Sequence, residues 1–413
     1  MGRGVIVAEP GHVPWIVHAA SAFARAGMLS EYITPLVTTR GEEERLTGPL
    51  PDRLAARVRA ELERRQAPPS IPASSVTRVA TARELACVAV RRVRPASRAA
   101  RALGDRRDRA FDRGVSRRLD ATHLGAHLVY GAALHSLRKA EEVGAITALE
   151  HPVHHHRFAE AVLQEELMLQ PAWAPTMQFH RPSTRRKALI ETELEIADRI
   201  TVFSSFSKST LVDAGVEEEK IVVSPPGVDL ARFSPGKRQD ECFRVLFVGV
   251  LSQRKGLSYL LEGFRRAGVP VSELLLVGAP WGNAAPWVNQ KGVRIVRWLR
   301  NRDLPALYRS ADVFVLPSLV EGFARVILEA MACGLPVIVT PNTGAEDVVR
   351  DGVEGHIVPI RDPEAIADRL VHLHRDDCAR TRMGDRARER AEQFPWERYG
   401  MRLVEILGDG RGG

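Results

Sequence analysis

Two glutamates near the C-terminal third of the chain have a spacing that could bind an extended ligand. Glu321 and Glu329 lie eight residues apart, after an apolar run and within an amphipathic pattern. The pattern predicts a helix that begins at Gly322, which puts the two carboxylates roughly 12 Å apart along its axis. At that separation they cannot share one proton, but they could hold two parts of one ligand. Two solvated glutamates on a capped surface helix would show the same spacing.

The start of this predicted helix offers a place for a phosphate. Backbone N–H groups at a helix N-terminus have no intrahelical acceptor and carry a partial positive charge. Those of Gly322, Phe323 and Ala324 could therefore cradle a phosphate group. Gly322 also has no Cβ to keep a ligand away. In a nucleotide sugar, the two parts held by the carboxylates would be the sugar and the ribose, with the diphosphate between them.

A second segment supplies positive charge. Arg254 and Lys255 stand immediately before a predicted helix and a few residues after a strand-like apolar run. Cations at the carboxyl ends of parallel strands lie where such sheets bind ligands. Lys255 beside a departing diphosphate would stabilise the charge that grows in the transition state. Taken alone, the segment also fits two cations on an ordinary surface turn.

Four histidines follow a predicted strand in the first half of the chain. We expect His151 to form hydrogen bonds with sugar hydroxyls or with the reacting region. A metal site made by the whole group is weakly supported, because consecutive side chains on one element are expected to diverge. The group consists of His151, His154, His155 and His156.

Two further pairs of residues follow strands of the first half. Gly11 and His12 lie in the loop after the first predicted strand, where they could approach a diphosphate or an acceptor. Ser204 and Ser205 begin a predicted helix, and helix capping explains them better than catalysis does.

The elements that must position these residues alternate regularly from Arg244 onward. Continuous apolar runs predict strands buried on both faces, and therefore a parallel sheet covered by helices. The first half repeats this pattern less clearly, with Arg-rich helical material between residues 51 and 119. Both halves thus predict an α/β fold of doubly wound domains. The strands are expected at 4–9, 127–131, 145–150, 199–204, 244–250, 273–278, 293–296, 312–317, 336–340 and 356–360, and the clearest helices at 256–267, 322–333 and 363–374.

A Pro- and Gly-rich link at 224–237 predicts the domain boundary. The link divides the chain into a first domain at 1–224 and a second at 225–390, which a C-terminal amphipathic helix within 391–413 follows.

Composition and missing motifs exclude several classes of protein. The chain has 413 residues and four scattered cysteines, which excludes a disulfide scaffold and a Cys-rich zinc module. The N-terminus lacks the apolar core of a signal peptide, and no run is long enough to span a membrane. Neither the dinucleotide-binding G-x-G-x-x-G after the first strand nor a P-loop is present. We therefore expect a soluble, cytoplasmic protein of two or three domains.

These segments resemble retaining glycosyltransferases of family 4, the glycosyl transferases group 1. The resemblance covers roughly residue 195 to the C-terminus and is faint over the first 150 residues. It is carried by the two glutamates within EGFARVILEAMACGLPVIVT at 321–340, by NTGAEDVVRDGVEG at 342–355, by RKG at 254–256 and by SPPGVDLARFSP at 224–235.

The resemblance implies a GT-B fold, in which two Rossmann-like domains face each other, and sugar transfer from a nucleotide-diphosphate sugar to an acceptor hydroxyl with retention. It implies that the domain at 1–224 binds the acceptor, that the domain at 225–390 binds the donor, and that the C-terminal helix packs back on the first domain. It also implies that Lys255 contacts the diphosphate, that Glu329 binds the ribose, and that Glu321 and the backbone amides after it lie at the donor sugar and phosphates. His151 loosely matches a histidine that faces the sugar from the N-terminal domain. The family needs no metal, so neither a metal nor a cofactor is expected.

Two positions depart from the pattern of the family. Many members have an arginine directly after the residue that matches Gly249, where this chain has Val250. Arg254 could replace that arginine, or charge stabilisation could rest mainly on Lys255. Ala324 replaces a glycine, which matters little if the backbone amide binds the ligand.

The charge of the chain is concentrated in one segment. The formal net charge is +8, and the eleven Arg and three Asp between Arg91 and Arg118 already account for +8. A solvated helix is the commonest explanation for such a run. Adsorption to an anionic membrane is the second, and it would make the protein peripheral to the inner face of the membrane. Nucleic-acid binding is disfavoured, because Phe111 is the only aromatic residue in the segment.

Two other classes of function remain open from the sequence. The same fold could serve a nucleotide-sugar epimerase or a phosphorylase. A non-catalytic basic binding protein on a degenerate transferase fold is disfavoured, since both glutamates and Lys255 are retained.

Overall fold

The computed structural model of the chain describes most of its residues, and all statements below refer to these. The described residues are 4–11, 13–39, 42, 44, 55–56, 58–59, 62, 65–93, 98–178, 182–236, 240–282, 290–297 and 299–408.

The N-terminal domain is an open, parallel, seven-stranded sheet with helices on both faces. Its strand order is β3-β2-β1-β4-β5-β6-β7, so the direction of winding reverses beside β1. In chain order the elements are β1 (Gly4–Ala8), α1 (Ile16–Arg25), β2 (Leu29–Thr34), β3 (Val76–Arg78), α2 (Thr81–Val93), α3 (Arg98–Ser116), β4 (His123–Val129), α4 (Leu134–Val143), β5 (Ile146–Glu150), α5 (His156–Leu169), α6 (Thr184–Ile196), β6 (Arg199–Val202), α7 (Ser205–Val212) and β7 (Ile221–Val223).

The C-terminal domain repeats this architecture with six parallel strands in the order β10-β9-β8-β11-β12-β13. Its elements are β8 (Phe243–Val248), α8 (Leu257–Ala267), β9 (Ser272–Val277), β10 (Val293–Val296), α9 (Leu304–Arg309), β11 (Val313–Leu316), α10 (Arg325–Ala332), β12 (Val337–Val339), β13 (Gly355–Ile357), α11 (Pro363–Arg375) and α12 (Asp377–Ala391).

The central strands are buried on both faces because helices cover both sides of each sheet. All six residues of β8 and all four of β11 are buried, as their continuous apolar sequences predict. The register joins Val245 of β8 to Val313 of β11, so the loops that follow these two strands leave the same edge of the sheet.

The chain returns to the N-terminal domain through its last helix, α13 (Trp396–Gly408). This helix packs on α1, where a Cβ on Gly400 would lie 2.5 Å from Cβ of Ala22. The hydroxyl of Tyr399 donates to the buried carboxylate of Glu150, at 2.5 Å. The apolar stripe of α13 is thereby buried against the first domain, as its amphipathic sequence predicts.

The predicted fold class is confirmed, and all ten predicted strands are present. Three strands were not predicted. They are β2, whose sequence LSEYIT contains no continuous apolar run, and β3 and β7, which have three residues each. The predicted start of the helix after Glu321 is wrong: α10 begins at Arg325, three residues later than the sequence pattern indicates. Of the described helices, none has both the length and the apolar character that crossing a membrane requires.

Candidate active site

Three of the predicted site residues form one ionic cluster at the carboxyl ends of β8 and β11. Lys255 and Arg254 belong to a short 3₁₀ turn, Gln253–Lys255, which we name the cation turn. Nζ of Lys255 lies 2.5 Å from Oε1 of Glu321. A guanidinium nitrogen of Arg254 lies 2.5 Å from the same oxygen. Adjacent strands bring the cluster together, since the cation turn follows β8 and Glu321 follows β11.

Burial strengthens the interaction within this cluster. Burial alone would raise the pKa of Glu321, but the charges of Arg254 and Lys255 outweigh it, so the pKa is lowered and the carboxylate is ionised at neutral pH. Burial lowers the pKa of Lys255, and the Glu321 carboxylate partly offsets that effect. A carboxylate thus balances two cations in a poorly hydrated place, where charge interactions are stronger than in bulk water.

Arg254 is fully engaged with protein groups. Besides Glu321, its guanidinium donates to the side-chain oxygen of Gln178 at 3.0 Å and to the carbonyl of Val320 at 2.8 Å. Gln178 belongs to the N-terminal domain, so Arg254 also joins the two domains. These contacts hold Arg254 beside the Glu321 carboxylate, whereas the ammonium of Lys255 pairs with one protein group among the described residues, Glu321.

The segment 322–324 differs from the predicted phosphate cradle. Because α10 starts only at Arg325, these residues form the loop before the helix. The amide of Ala324 donates to the carbonyl of Thr343 at 3.1 Å, so it is already used within the domain. A Cβ on Gly322 would lie 2.2 Å from the carbonyl oxygen of Pro152. The small size of Gly322 therefore permits close approach of the N-terminal domain, and Phe323 is buried beside it.

The loop that carries Gly322 is also bound by the N-terminal domain. Ser204 caps α7 by accepting from the amide of Ser207, as its predicted capping role requires. The hydroxyls of Ser204 and Ser207 also donate hydrogen bonds to the carbonyl of Gly322, at 2.5 Å and 3.0 Å. Ser205 donates through its amide and hydroxyl to Asp347. The start of α7 thus connects the two domains next to the ionic cluster.

Glu329 lies one helical turn after Arg325, a further cation that the sequence analysis missed. The hydroxyl of Tyr308 donates to Oε2 of Glu329 at 3.0 Å, and burial raises the pKa of this carboxyl. Arg325 stands midway between Glu321 and Glu329 in sequence. Its guanidinium lies 5.3 Å from the ring centre of Trp15, in the N-terminal domain. No carboxylate of the described residues pairs with Arg325 within 4 Å, and burial lowers its pKa.

His151 lies in the N-terminal domain and is neutral. Its Nδ1–H donates to the carbonyl of Val153 at 2.9 Å, and its ring lies 4.5 Å from that of Tyr130. Burial lowers its pKa to about 3. The histidine that interacts electrostatically with Glu321 is His154, whose pKa burial lowers to about 4. His151 can therefore accept a hydrogen bond through Nε2, whereas His154 faces the ionic cluster.

His155 and His156 converge, contrary to the expectation that consecutive side chains diverge. Their rings lie 4.4 Å apart, and with Glu191 they form a group whose potential metal-ligand atoms lie within 4.8 Å of one another. Nδ1 of His155 accepts from the amide of Arg157 at the start of α5, which places the ring proton on Nε2. Arg157 also donates to Glu191 at 3.2 Å. Nε2 of His155 lies 3.3 Å from the Glu191 carboxylate, and Nδ1 of His156 is buried without a hydrogen-bond partner among the described residues. That this group holds no metal therefore stays a prediction.

Gly11 lies against the Arg-rich helix α3. A Cβ on Gly11 would lie 2.7 Å from a guanidinium nitrogen of Arg107. Arg107 is buried and pairs with Glu84 at 2.7 Å and with Asp108 at 2.6 Å. Part of the Arg-rich segment is therefore a structural element next to the loop after β1. The other predicted residue of that loop, His12, lies outside the described residues.

Sequence reasoning missed the residues of the N-terminal domain that contact the cation turn. Gln178 follows a short 3₁₀ segment, and Glu166 lies on α5 with no motif around it. Arg325 could have been noticed, because it is a cation halfway between the two glutamates of the motif. Gln178 and Glu166 become visible only when the two sheets are placed face to face.

The fold and the site together define a class of protein. Two facing, parallel, Rossmann-like sheets with a returning C-terminal helix constitute the GT-B fold. Sucrose-phosphate synthase from Thermosynechococcus elongatus matches with a TM-score of 0.66 at 18% identity, over 99% of each chain. HepE from Anabaena, solved in complex with UDP and glucose, matches with a TM-score of 0.63 at 16% identity, over 98% of this chain and 100% of HepE.

The C-terminal domain matches a known family. Residues 242–376 match the family model described as Glycosyl transferases group 1.

Curated relatives agree with this match. The D-inositol 3-phosphate glycosyltransferase of Corynebacterium urealyticum is 31% identical over 257 residues, covering 55% of this chain and 60% of the relative. The protein of the same name from Geodermatophilus obscurus is 35% identical over 248 residues, covering 53% and 54%. The chain thus spans somewhat more than half the length of these relatives.

Proposed function

We propose that the protein is a glycosyltransferase that moves a sugar from a nucleotide-diphosphate sugar to an acceptor hydroxyl, with retention of the anomeric configuration. The observation that carries this proposal is the cluster of Lys255, Arg254 and Glu321 at adjoining strand ends, with Glu329 farther along the same segment. The match of residues 242–376 to the group 1 family model supports it.

In this proposal the cations of the C-terminal domain stabilise the leaving diphosphate. Lys255 takes the place of a charge stabiliser at the departing oxygen, a role that acts mainly in the transition state. Glu321 orients both the cation and the hydroxyls of the donor sugar. Glu329, held by Tyr308, accepts hydrogen bonds from the ribose.

Arg325 supplies the second cation for the diphosphate. It is placed between the two glutamates, and its guanidinium has no carboxylate partner among the described residues, whereas Arg254 is held by Gln178, Val320 and Glu321. We therefore propose that Arg325, rather than Arg254, takes the role of the arginine that many family members have at the position of Val250. The carboxylate of Glu329, one helical turn away, stabilises the charge of Arg325 without a direct ion pair, so a diphosphate there would give the guanidinium a direct ionic partner.

The N-terminal domain provides the acceptor site. A cavity of about 440 Å³ lies between α3, the loop after β4 and α6. Gly131 in its wall directly follows Tyr130, whose ring contacts His151. The cavity wall includes Arg109, Arg113 and Arg185 together with four carboxylates, those of Asp105, Asp108, Asp112 and Glu193. With these arginines to bind a phosphate and the carboxylates to accept from hydroxyls, a phosphorylated polyol, as the names of the curated relatives suggest, is the acceptor class that we propose.

Transfer needs water to be excluded from the donor. His151 and His154 are neutral at physiological pH, since burial lowers their pKa values to about 3 and about 4. They can therefore bind sugar hydroxyls without adding charge. The direct contacts between the domains, through Gly322, Ser204 and Ser207, shield the cluster from solvent, which protects the donor from hydrolysis.

A ligand screen followed by product analysis tests this function. Thermal shift with UDP-, GDP- and ADP-sugars should reveal at least one donor that raises the melting temperature, since a ligand bound only by the folded state adds stability. Glu329→Ala should abolish most of that shift if the carboxylate binds ribose. Arg382→Gln, an exposed change on α12, serves as the matched control.

Product analysis separates transfer from the rival reactions. With donor and inositol phosphate present, a glycosylated product with the donor's anomeric configuration supports the proposal. An isomerised nucleotide sugar formed without acceptor indicates an epimerase, and consumption that requires inorganic phosphate indicates a phosphorylase. No stabilisation by any nucleotide sugar would contradict the proposed function.

A further inference from the structure

One carboxylate of the N-terminal domain is bound by three side chains of the C-terminal domain. Glu166, on α5, is 0% exposed. The side-chain amide of Gln253 donates to its Oε1 at 2.6 Å, the hydroxyl of Tyr259 donates to the same oxygen at 3.0 Å, and Arg361 donates to its Oε2 at 2.8 Å. A buried carboxylate depends on such partners, so they fix the position of α5 relative to the second domain.

The first of these partners begins the cation turn. Gln253 reaches from Glu166 to the start of α8, where it donates to the hydroxyl of Ser258 at 2.6 Å and accepts from the amide of Ser258 at 3.1 Å. Lys255 follows two residues later, and its amide donates to the carbonyl of Ser252 at 3.0 Å. The side chain of Gln253 thus holds the turn at one end, and the backbone transmits its position to Lys255.

The N-terminal domain holds the same turn at a second point, and Arg361 of the C-terminal domain binds the other carboxylate oxygen of Glu166. Arg254 donates to Gln178 at 3.0 Å. Arg361 extends its contacts along α5 to Glu165 at 2.7 Å and to the carbonyl of Val162 at 3.1 Å. Its backbone has φ of 63°, in the left-handed region that residues other than glycine rarely adopt. This conformation is consistent with tertiary contacts that hold Arg361 in place.

We infer that Glu166 is a positioning residue that couples the docking of the two domains to the placement of Lys255. The cation turn takes its diphosphate-binding position when α5 is docked and Glu166 holds Gln253, and it is released when α5 moves away. Glu166 touches neither Lys255 nor Glu321, so it acts through the turn. This inference rests on the proposed function, since it gives Lys255 a diphosphate to bind.

The physical reason is the steep dependence of charge stabilisation on distance. Displacing a catalytic group by about 1 Å can reduce the rate by about 100-fold. Loss of the contact between Gln253 and Glu166 should shift the ammonium of Lys255 by less than about 1 Å, because Arg254 still holds the cation turn through Gln178. We therefore expect Glu166→Gln to weaken nucleoside-diphosphate binding and turnover about tenfold each.

A double-mutant cycle distinguishes positioning from general support of the fold. The probe is whichever of UDP, GDP and ADP binds the wild-type protein, and its Kd is measured by calorimetry for wild type, Glu166→Gln, Lys255→Ala and the double variant. If Glu166 acts through Lys255, the tenfold effect of Glu166→Gln disappears in the Lys255→Ala background, because the two changes are coupled. Equal effects in both backgrounds would overturn the inference.

Two further variants keep the test decisive. Gln253→Ala removes the same contact by changing its partner in the C-terminal domain. If Glu166→Gln does not fold, Gln253→Ala should still show the weakened binding. Glu165→Gln is the matched control, since Glu165 lies next to Glu166 and contacts Arg361 but not the cation turn; its Kd should equal that of the wild type. Unchanged binding in both Glu166→Gln and Gln253→Ala would contradict the positioning role, whereas failure of all three diphosphates to bind the wild type would contradict the proposed function itself.

Discussion

The two domains contribute to the site in different ways. In the C-terminal domain, Lys255 and Glu321 come from loops after neighbouring strands and meet within one domain. In the N-terminal domain, single side chains from separate elements reach across, such as Trp15 before α1, Glu166 on α5 and Gln178 after it. Short segments of sequence therefore encode the donor side, whereas the other side exists only through tertiary structure.

This difference also concerns charge. In the C-terminal domain, Lys255 and Arg254 belong to one cluster, in which the Glu321 carboxylate balances their charges. The N-terminal domain contains the Arg-rich segment between Arg91 and Arg118, but Arg107 of that segment is paired with Glu84 and Asp108 inside the domain. The amount of positive charge in a domain therefore does not locate the site. The ion pairs that each cation forms are more informative about its location.

The largest expected effect comes from the donor side. Lys255→Ala should lower kcat by about 100-fold or more, the size found when one transition-state charge stabiliser is removed. Steady-state kinetics with the donor found by the ligand screen measures the change. Melting temperature should be retained, because the neighbouring Arg254 still balances Glu321. Near-normal kcat in a folded variant would show that Lys255 is not the charge stabiliser that the proposal requires.

On the acceptor side, the buried carboxylate of Glu193 predicts a pH-dependent stability. Burial raises its pKa to about 7, although the amides of Gly131 and Ala133 donate to it. Below the ordinary pKa of 4.5 both states are protonated and the contribution to stability is complete. As the pH rises through about 7, the folded protein must ionise a buried group, and that contribution is lost.

Glu193→Gln should remove this pH dependence. Between about pH 5.5 and about pH 8, the wild type should lose about 2 kcal/mol of unfolding free energy that the variant keeps. Denaturant unfolding of both proteins at both pH values measures it. Any cost of the carboxamide itself is the same at both pH values and cancels in the comparison. A difference between the two proteins that does not change with pH would exclude a raised pKa for Glu193.

How much the sequence could predict follows the same division between the domains. The strands β8 and β11 were predictable because they are continuous apolar runs, and their order placed Lys255 near Glu321. The start of α10 was mispredicted because the carbonyl of Gly322 is bound by Ser204 and Ser207 of the other domain, an influence that helical periodicity does not contain. Glu166 and Gln178 have no local pattern, since they act on partners 87 and 76 residues away in sequence.

A smaller effect tests whether a cation outside the predicted cluster takes part. Arg325→Gln should weaken nucleoside-diphosphate binding about tenfold, which is the scale of one charge-assisted hydrogen bond. The corresponding nucleoside, which has no phosphate, should bind both proteins equally. Calorimetry with the two ligands separates loss of a phosphate contact from general damage. Equal losses for both ligands would count against a phosphate contact and would leave Lys255 as the principal cation.

The smallest effect concerns the Arg-rich segment as a membrane contact. Arg106 and Arg113 are exposed on one face of α3, seven residues apart, and neither has a carboxylate partner among the described residues. Since each cation near an anionic membrane contributes about 1 kcal/mol, Arg106→Gln should weaken binding to phosphatidylserine-containing vesicles about fivefold. Co-sedimentation at low and high salt measures this, with Arg382→Gln on α12 as the control. Absence of wild-type co-sedimentation at low salt would rule out membrane contact, and the segment would then serve the N-terminal domain only through buried pairs such as Arg107 with Glu84.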